Sequence, residues 1–184
     1  MTKTNKITTT ALLVALAICF QSLRYISPAI LTQLAGVLLI GSLVNLVIFV
    51  AVARVGAGGA VLVSVVTPLV AVLEGHLAHI YLAPAVAIGN TIIVAVWWLL
   101  HNKLRIKRDS VSIICCSTCK FLFLWWAVPF TFKTFLYSSW NGKAPATKVL
   151  ETLTQNMSWP QLITALIGGF LAIIILRALP KSRQ

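Results

Sequence analysis

The chain alternates between long apolar runs and short polar connections. Six of these runs are close to the roughly 20 residues that one membrane-spanning helix needs. None shows the alternation of polar and apolar residues that is typical of a membrane β-strand. The pattern predicts an all-α integral membrane protein with a single domain, residues 1–184, and six transmembrane helices at approximately 8–26, 31–53, 60–78, 82–100, 110–132 and 159–179.

Proline and glycine residues mark where these helices end or bend. The first run is expected to end at Ser27-Pro28, and Pro68 and Gly75 are expected to kink the third. Lys3 and Lys6 precede the first run, as basic residues precede a signal peptide. No small-residue cleavage site follows a short apolar core, so this run is expected to remain as the first helix.

The composition agrees with a membrane protein and excludes a soluble enzyme. Apolar residues make up 59% of the chain and charged residues 10%, whereas soluble domains average about 45–50% and roughly 25%. The mean hydropathy is +0.96. No internal repeat is visible, and 184 residues are too few for a secondary transporter built from two duplicated bundles.

The positive charges lie between the apolar runs and predict an orientation. The formal net charge is +12, from 15 Lys and Arg against 3 Asp and Glu. Because loop cations favour the cytoplasmic side, both termini are expected to be cytoplasmic. Interaction with anionic lipid headgroups is expected, and nucleic acid is not. The cytoplasmic side would hold ten cations (Lys3, Lys6, Arg54, Lys103, Arg105, Lys107, Arg108, Arg177, Lys181, Arg183), and the outer side four (Arg24, Lys133, Lys143, Lys148). Lys120 lies within a span and is not counted.

The inventory of reactive residues argues against an enzyme. Asp109 and Glu151 are expected in loops, which leaves Glu74 as the only acid within a span. There is no HExxH zinc motif, nucleophile elbow or phosphate-binding loop. The four cysteines lie in apolar runs and are interpreted as packing residues. No resident cofactor is expected, and any ATP would be hydrolysed by another chain.

The end of the third helix holds a polar cluster, Glu74-Gly75-His76-Leu77-Ala78-His79. His76 and His79 are spaced i, i+3, so Glu74 and the two imidazoles could bind a metal. Contact with an organic ligand and simple solvation at the headgroup boundary are the alternatives. All three interpretations stay open.

Other candidates for a binding site stand near the outer ends of helices one, four and five. Asn90 could bind a polar ligand or, beside Gly89, join two helices. Trp125 and Trp126 lie deeper than an interfacial belt, and Arg24 suits a carboxylate. Asn90 and Trp126 lie at comparable depths, about 12 and 9 Å below the surface at 1.5 Å per residue. We predict a site formed by Asn90, Trp125, Trp126 and Arg24, with Glu74, His79 and Gln161 at its margin.

The first helix carries a strip of small residues. Ala11 and Ala15 share one face, which lets another helix approach closely. This spacing is common in membrane helices, but here it follows the basic start of the chain. It predicts a docking surface for a partner helix.

Taken together, these features resemble the substrate-binding S components of energy-coupling factor (ECF) transporters. The resemblance covers length, helix number and charge. It includes the opening KITTTALLVALA at 6–17, whose Ala11 and Ala15 match the family's AxxxA docking surface. Helices three and four contribute Thr67-Pro68, Glu74-Gly75, Pro84 and Gly89-Asn90.

The resemblance implies a multi-pass protein of the bacterial plasma membrane that takes up a vitamin or related micronutrient. The ligand would bind on the outer side, between helices four to six. The protein would dock on a transmembrane T component, powered by two separate ATPase subunits, and topple in the membrane. Outer cations favour a carboxylate-bearing ligand, pantothenate-like or lipoate-like. The alternatives are a metal-uptake S component using His76 and His79, and a membrane scaffold subunit that transports nothing.

Overall fold

A computed structural model gives the architecture of the chain. It describes residues 2–25, 34–75, 77, 80–106, 108–136, 151, 154, 155, 157 and 159–178. All regular structure within these ranges is helical. Five helices are long and apolar enough to cross a membrane, and a sixth is apolar but shorter. The protein is therefore consistent with the expected helical membrane protein.

The six helices lie close to the positions predicted from the apolar runs. A short 3-10 turn, Leu23–Tyr25, continues the first helix, and π-helical turns, Leu99–Lys103 and Phe132–Leu136, continue the fourth and fifth. The helices are α1 (Lys3–Ser22), α2 (Leu34–Arg54), α3 (Ala57–Leu73), α4 (Leu82–Trp98), α5 (Asp109–Thr131) and α6 (Trp159–Ala178).

The third helix ends earlier than predicted. Gly75 adopts a positive φ of 69°, and its amide donates to the carbonyl of Val72 at 3.0 Å. This is the geometry with which a glycine closes a helix C-terminus. Pro68 lies inside α3 as expected, but Gly75 terminates the helix instead of kinking it.

The helices form a closed bundle around α2. Successive contacts run from α1 to α3, α4, α5 and α6, and then through α2 back to α1. The most extensive contact joins α2 and α6, and α2 also packs against α3 and α4. The main apolar core contains a continuous run of α2, residues 46–52, in which Val47, Ile48 and Ala51 are fully buried.

Small residues set the closest helix contacts. A Cβ added to Gly168 of α6 would lie 2.5 Å from the backbone oxygen of Ser42 in α2. A Cβ added to Gly89 of α4 would lie 3.1 Å from Leu124 of α5. These glycines let the helix backbones approach in the manner typical of membrane bundles.

Contacts between helices show which ends lie together. Thr10 of α1 lies beside Gly59, near the start of α3, and Ser22 bonds to Glu74 at the end of α3. Helices α1 and α3 therefore run parallel. Arg54, His101 and Arg177 surround one depression, so the start of α1 and the end of α6 share one end of the bundle.

We call this the basic end, since among the described residues it carries Lys3, Lys6, Arg54, Lys103, Arg105, Arg108 and Arg177. The opposite end, where α1 and α3 finish and α6 begins, is called the cavity end. Outside the helices' buried interior, its described cations are Arg24 and Lys133.

Candidate functional site

A cavity of about 280 Å³ lies within the cavity end of the bundle. Ligand pockets typically measure roughly 300–1,000 Å³, so this volume lies at the small end and suits only a small molecule. Apolar side chains of α2, α3 and α4 form much of the wall. Each of the six helices also contributes one polar residue, namely Gln21, Asn45, Thr67, Asn90, Lys120 and Gln161.

Lys120 is the most deeply buried charged-type residue of this wall. Its side chain is 2% exposed, and its ammonium donates to Oδ1 of Asn45 and Oδ1 of Asn90, each at 2.8 Å. The residues come from α5, α2 and α4. One ammonium thus joins three helices beside the cavity.

Hydrogen bonds fix both asparagine amides with their oxygens toward Lys120. Nδ2 of Asn45 donates to the carbonyl of Gly41 at 2.8 Å and to Oγ1 of Thr164 at 3.2 Å. Nδ2 of Asn90 donates to the carbonyl of Ser64 at 3.5 Å, a longer bond. Since an amide has one oxygen and one NH₂ group, these bonds orient each oxygen to accept from the lysine.

The described lining of the cavity carries two cationic side chains, Arg24 and Lys120, and no Asp or Glu. The three acids of the chain are placed elsewhere. Glu74 lies in the turn after α3, Asp109 contacts His101 at the basic end at 3.3 Å, and Glu151 is exposed. The described lining therefore holds basic side chains without an acid beside them.

Further hydrogen-bond donors are buried near the mouth. Nε2 of Gln21 and Nε of Arg24 are buried without a hydrogen-bond partner among the described residues. Nearby, Ser22 donates to Glu74 at 2.5 Å, and the hydroxyl of Tyr25 donates to the Glu74 carbonyl at 3.1 Å. Glu74 also interacts electrostatically with Arg24, so this acid orders the rim without lining the cavity.

The structure brings together part of the predicted site. Asn90, Arg24 and Gln161 line the same cavity. Glu74 lies at its margin, where it accepts a hydrogen bond from Ser22. His79 lies outside the described residues, as does His76. The cavity draws on all six helices, whereas the resemblance implied a pocket between helices four to six.

The structure does not bring Trp125 and Trp126 to this cavity, so their expected convergence with Asn90 needs correction. Their side chains are 59% and 62% exposed on α5. At about 100° per residue, they point roughly 140° and 240° around the helix from Lys120. Trp126 instead stacks on Phe130, with ring centroids 5.2 Å apart, in an apolar depression of about 550 Å³ between α4 and α5.

Sequence reasoning missed the lysine and asparagine at the centre of the cavity. Lys120 lies within a predicted span and Asn45 within the second helix, yet neither belongs to the site predicted from the sequence. A signal was present, because an ionisable residue inside a membrane segment is costly and usually faces the bundle interior. Lys120 was the better indicator of the inward face of α5 than the tryptophans.

The structure also places the alanine strip of α1 and one of the cysteines, and it bears on the proposed metal cluster. Ala11 and Ala15 are exposed on α1, whose span is the least buried of the five long helices. Cys116 is fully buried in the main core. Within the described ranges no group of three His, Cys, Asp or Glu residues is placed to hold a metal, while both histidines of the proposed metal cluster are outside those ranges.

Comparison of the chain with models of known families, with curated protein sequences and with solved structures gave no match. The residues and geometry of this chain are therefore the basis on which its function is assigned. What they establish directly is a helical bundle of membrane type with a small cavity at one end, lined in part by the basic residues Arg24 and Lys120.

Proposed function

We propose that this chain is the substrate-binding S component of an ECF-type importer for a vitamin or related micronutrient that bears a carboxylate. The observation that carries the proposal is the cavity at one end of the bundle. A membrane scaffold has no need of a cavity to which every helix presents a polar side chain. A substrate-binding subunit requires one.

The lining supports a small ligand with both apolar and polar parts. Val37, Ile40 and Val86 supply apolar walls, while Asn90 and Gln161 supply amide groups. Ligand sites commonly combine such apolar walls with a few polar groups that fix orientation. The two lining cations favour an acidic group on the ligand.

The distribution of charge supports an external opening. The basic end carries most of the described cations, and loop cations favour the cytoplasm. In the proposed orientation both termini are cytoplasmic, and the cavity end faces outward. A nutrient captured outside the cell would then enter the cavity from the side on which it is encountered.

The exposed face of α1 supports docking to a T component. Ala11 and Ala15 lie on the outside of the bundle, near the middle of α1. A strip of small side chains allows a partner helix to approach closely. Since the chain has no phosphate-binding loop, two separate ATPase subunits would power the toppling that carries the cavity inward.

The proposal is tested by purifying the protein from cells grown in rich medium and identifying co-purified small molecules by mass spectrometry. We expect a carboxylate-bearing micronutrient at close to one molecule per chain. Asn90→Leu should lose it, because the change removes the amide while keeping a similar volume. Asn102→Leu, at an exposed asparagine of the basic end, is the matched control and should retain it.

A second measurement addresses transport. Cells that express the chain with a T component and two ATPases should accumulate the identified molecule, and inactive ATPases should abolish accumulation. A protein that carries no small molecule and confers no ATPase-dependent uptake would support the scaffold alternative and contradict the proposal.

A further inference from the structure

Lys120 is buried beside the cavity with one N–H donor unused and no acid next to it among the described lining residues. Its ammonium has three N–H donors, and two of them bond to the amide oxygens of Asn45 and Asn90. The side chain lines the cavity, and only 2% of it is exposed. One donor direction therefore remains for a group inside the cavity.

Amide oxygens orient the ammonium but do not neutralise it. A buried charge is costly unless an opposite charge pairs with it, and inside a membrane protein such residues usually have a partner or a function. No acid lies in the described lining of the cavity. An acidic group on a ligand in the cavity would supply the negative charge that the described part of the chain does not place beside Lys120.

We propose that Lys120 binds the acidic group of the ligand, which makes the substrate a small carboxylate with its anionic end at the inner wall of the cavity. This assignment rests on the proposed function and deepens it. Asn45 and Asn90 are positioning residues that hold the ammonium in place. Gln21, 95% buried with its Nε2 unpartnered among the described residues, supplies a further donor to the same space.

The sequence favours Arg24 as the residue that binds the ligand carboxylate, whereas this geometry favours Lys120. Arg24 lies in the short turn after α1, beside Glu74. Its charge is therefore partly balanced by an acid, whereas that of Lys120 is not. The carboxylate gains more by pairing with Lys120, and Arg24 serves polar atoms nearer the mouth.

The ligand test uses the purified full-length protein in detergent and three acids, each with an uncharged analogue. The pairs are pantothenate and panthenol, lipoate and lipoamide, and nicotinate and nicotinamide. We expect at least one acid to raise the melting temperature while its analogue does not. Acids and analogues acting alike, or no acid acting at all, would overturn the assignment.

Lys120→Met removes the charge at similar volume and should weaken binding of the active acid by at least about 30-fold, as for loss of one partner of a buried charge pair. Lys133→Met is the matched control, because Lys133 is exposed at the cavity end, and it should bind normally. Retention of acid binding by Lys120→Met would show that Lys120 only joins helices, and would overturn the proposal.

A second variant tests the charge without any ligand. Asn90→Asp places a carboxylate where Oδ1 now lies 2.8 Å from the ammonium, so it should raise the melting temperature of the empty protein and abolish stabilisation by the acid. Asn90→Ala is the control and should lower that temperature. A loss of stability in Asn90→Asp equal to that in Asn90→Ala would contradict an unbalanced charge at Lys120.

These outcomes separate the two proposals. If acids and neutral analogues bind equally and Lys120→Met binds both, the cavity is a ligand site and only the role of Lys120 fails. If uptake and co-purified nutrient are absent while Asn90→Asp stabilises the protein, the charge argument holds and the transport function fails.

Discussion

Gly168 of α6 lies so close to Asn45 of α2 that a Cβ on the glycine would approach the asparagine Cβ to 2.8 Å. The same asparagine accepts the hydrogen bond from Lys120. Helix packing and the charged wall of the cavity are thus linked through one residue. A change that separates α6 from α2 is therefore expected to disturb the amide that accepts from Lys120.

Gly168→Ala should therefore destabilise the protein and weaken ligand binding together. The added methyl meets backbone atoms of Ser42 and Leu46, which cannot move as a side chain can. Overpacking of this kind typically costs about 1–3 kcal/mol. Thermal unfolding and ligand titration of the purified protein measure both effects.

Gly58→Ala is the control for that experiment, because a Cβ at Gly58 has no neighbour within 4 Å. It should leave stability unchanged or slightly raised, since alanine favours the helix more than glycine does. Equal losses in the two variants would contradict a specific role for the α2–α6 contact.

Asn90 and Trp126 should respond differently to substitution. Asn90→Leu should weaken binding of the co-purified ligand by about 5- to 150-fold, corresponding to roughly 1–3 kcal/mol for a lost buried polar contact. Trp126→Leu should leave affinity unchanged, because its ring faces outward from the bundle. Isothermal titration of both proteins provides the comparison, and a larger loss in Trp126→Leu would move the site to the α4–α5 depression.

Ala11→Trp or Ala15→Trp should abolish coupled uptake while the isolated protein still binds its ligand. The indole would hold a partner helix away from the exposed strip of α1. Ile114→Trp is the control, since it places the same ring on an exposed position of α5. Uptake that survives both alanine substitutions would identify the strip as ordinary surface.

Reporter fusions test the orientation of the bundle. A fusion in the 101–109 connection should report the cytoplasm, and one in the 133–158 connection should report the outside, because cations concentrate at the basic end. The opposite pattern would place the cavity mouth in the cytoplasm and would remove the basis for capture of an external nutrient.

The number and approximate bounds of the helices could be predicted from the sequence because the apolar runs are long and their breaks are clear. The end of α3 was harder to predict. A glycine within an apolar run is compatible with a kink or a stop, and the positive φ of Gly75 together with its hydrogen bond to Val72 distinguishes them. The result is a helix that ends at Leu73.

The inward face of each helix was harder to predict than its ends. In a soluble helix the polar face marks the solvent, but in a membrane helix lipid and core are both apolar. On α5 the buried residues Ser112, Cys116, Lys120, Leu124 and Val128 recur every four positions. Two of them, Ser112 and Lys120, are polar, and this polar stripe is the sequence signal for the inward face of the helix. The tryptophans are large side chains, and size alone does not distinguish the core from lipid.

The early end of α3 has a consequence for the surrounding lipid. Its 17 residues extend about 25 Å, whereas the 27-residue span Asp109–Phe135 extends about 40 Å. A bilayer with a hydrocarbon core of roughly 30 Å matches neither. The lipid beside α3, where Leu69 and Leu73 are exposed, is expected to thin, whereas the longer α5 fits the bilayer by tilting.

Unequal hydrophobic lengths of this kind make the resting angle of the protein depend on bilayer thickness. Shorter acyl chains relieve the mismatch at α3 and increase it at α5, so the orientation of the bundle shifts with lipid composition. The membrane thus acts as an elastic element on this protein. In vesicles of graded chain length, its tilt is set by the lipid as well as by any partner chain.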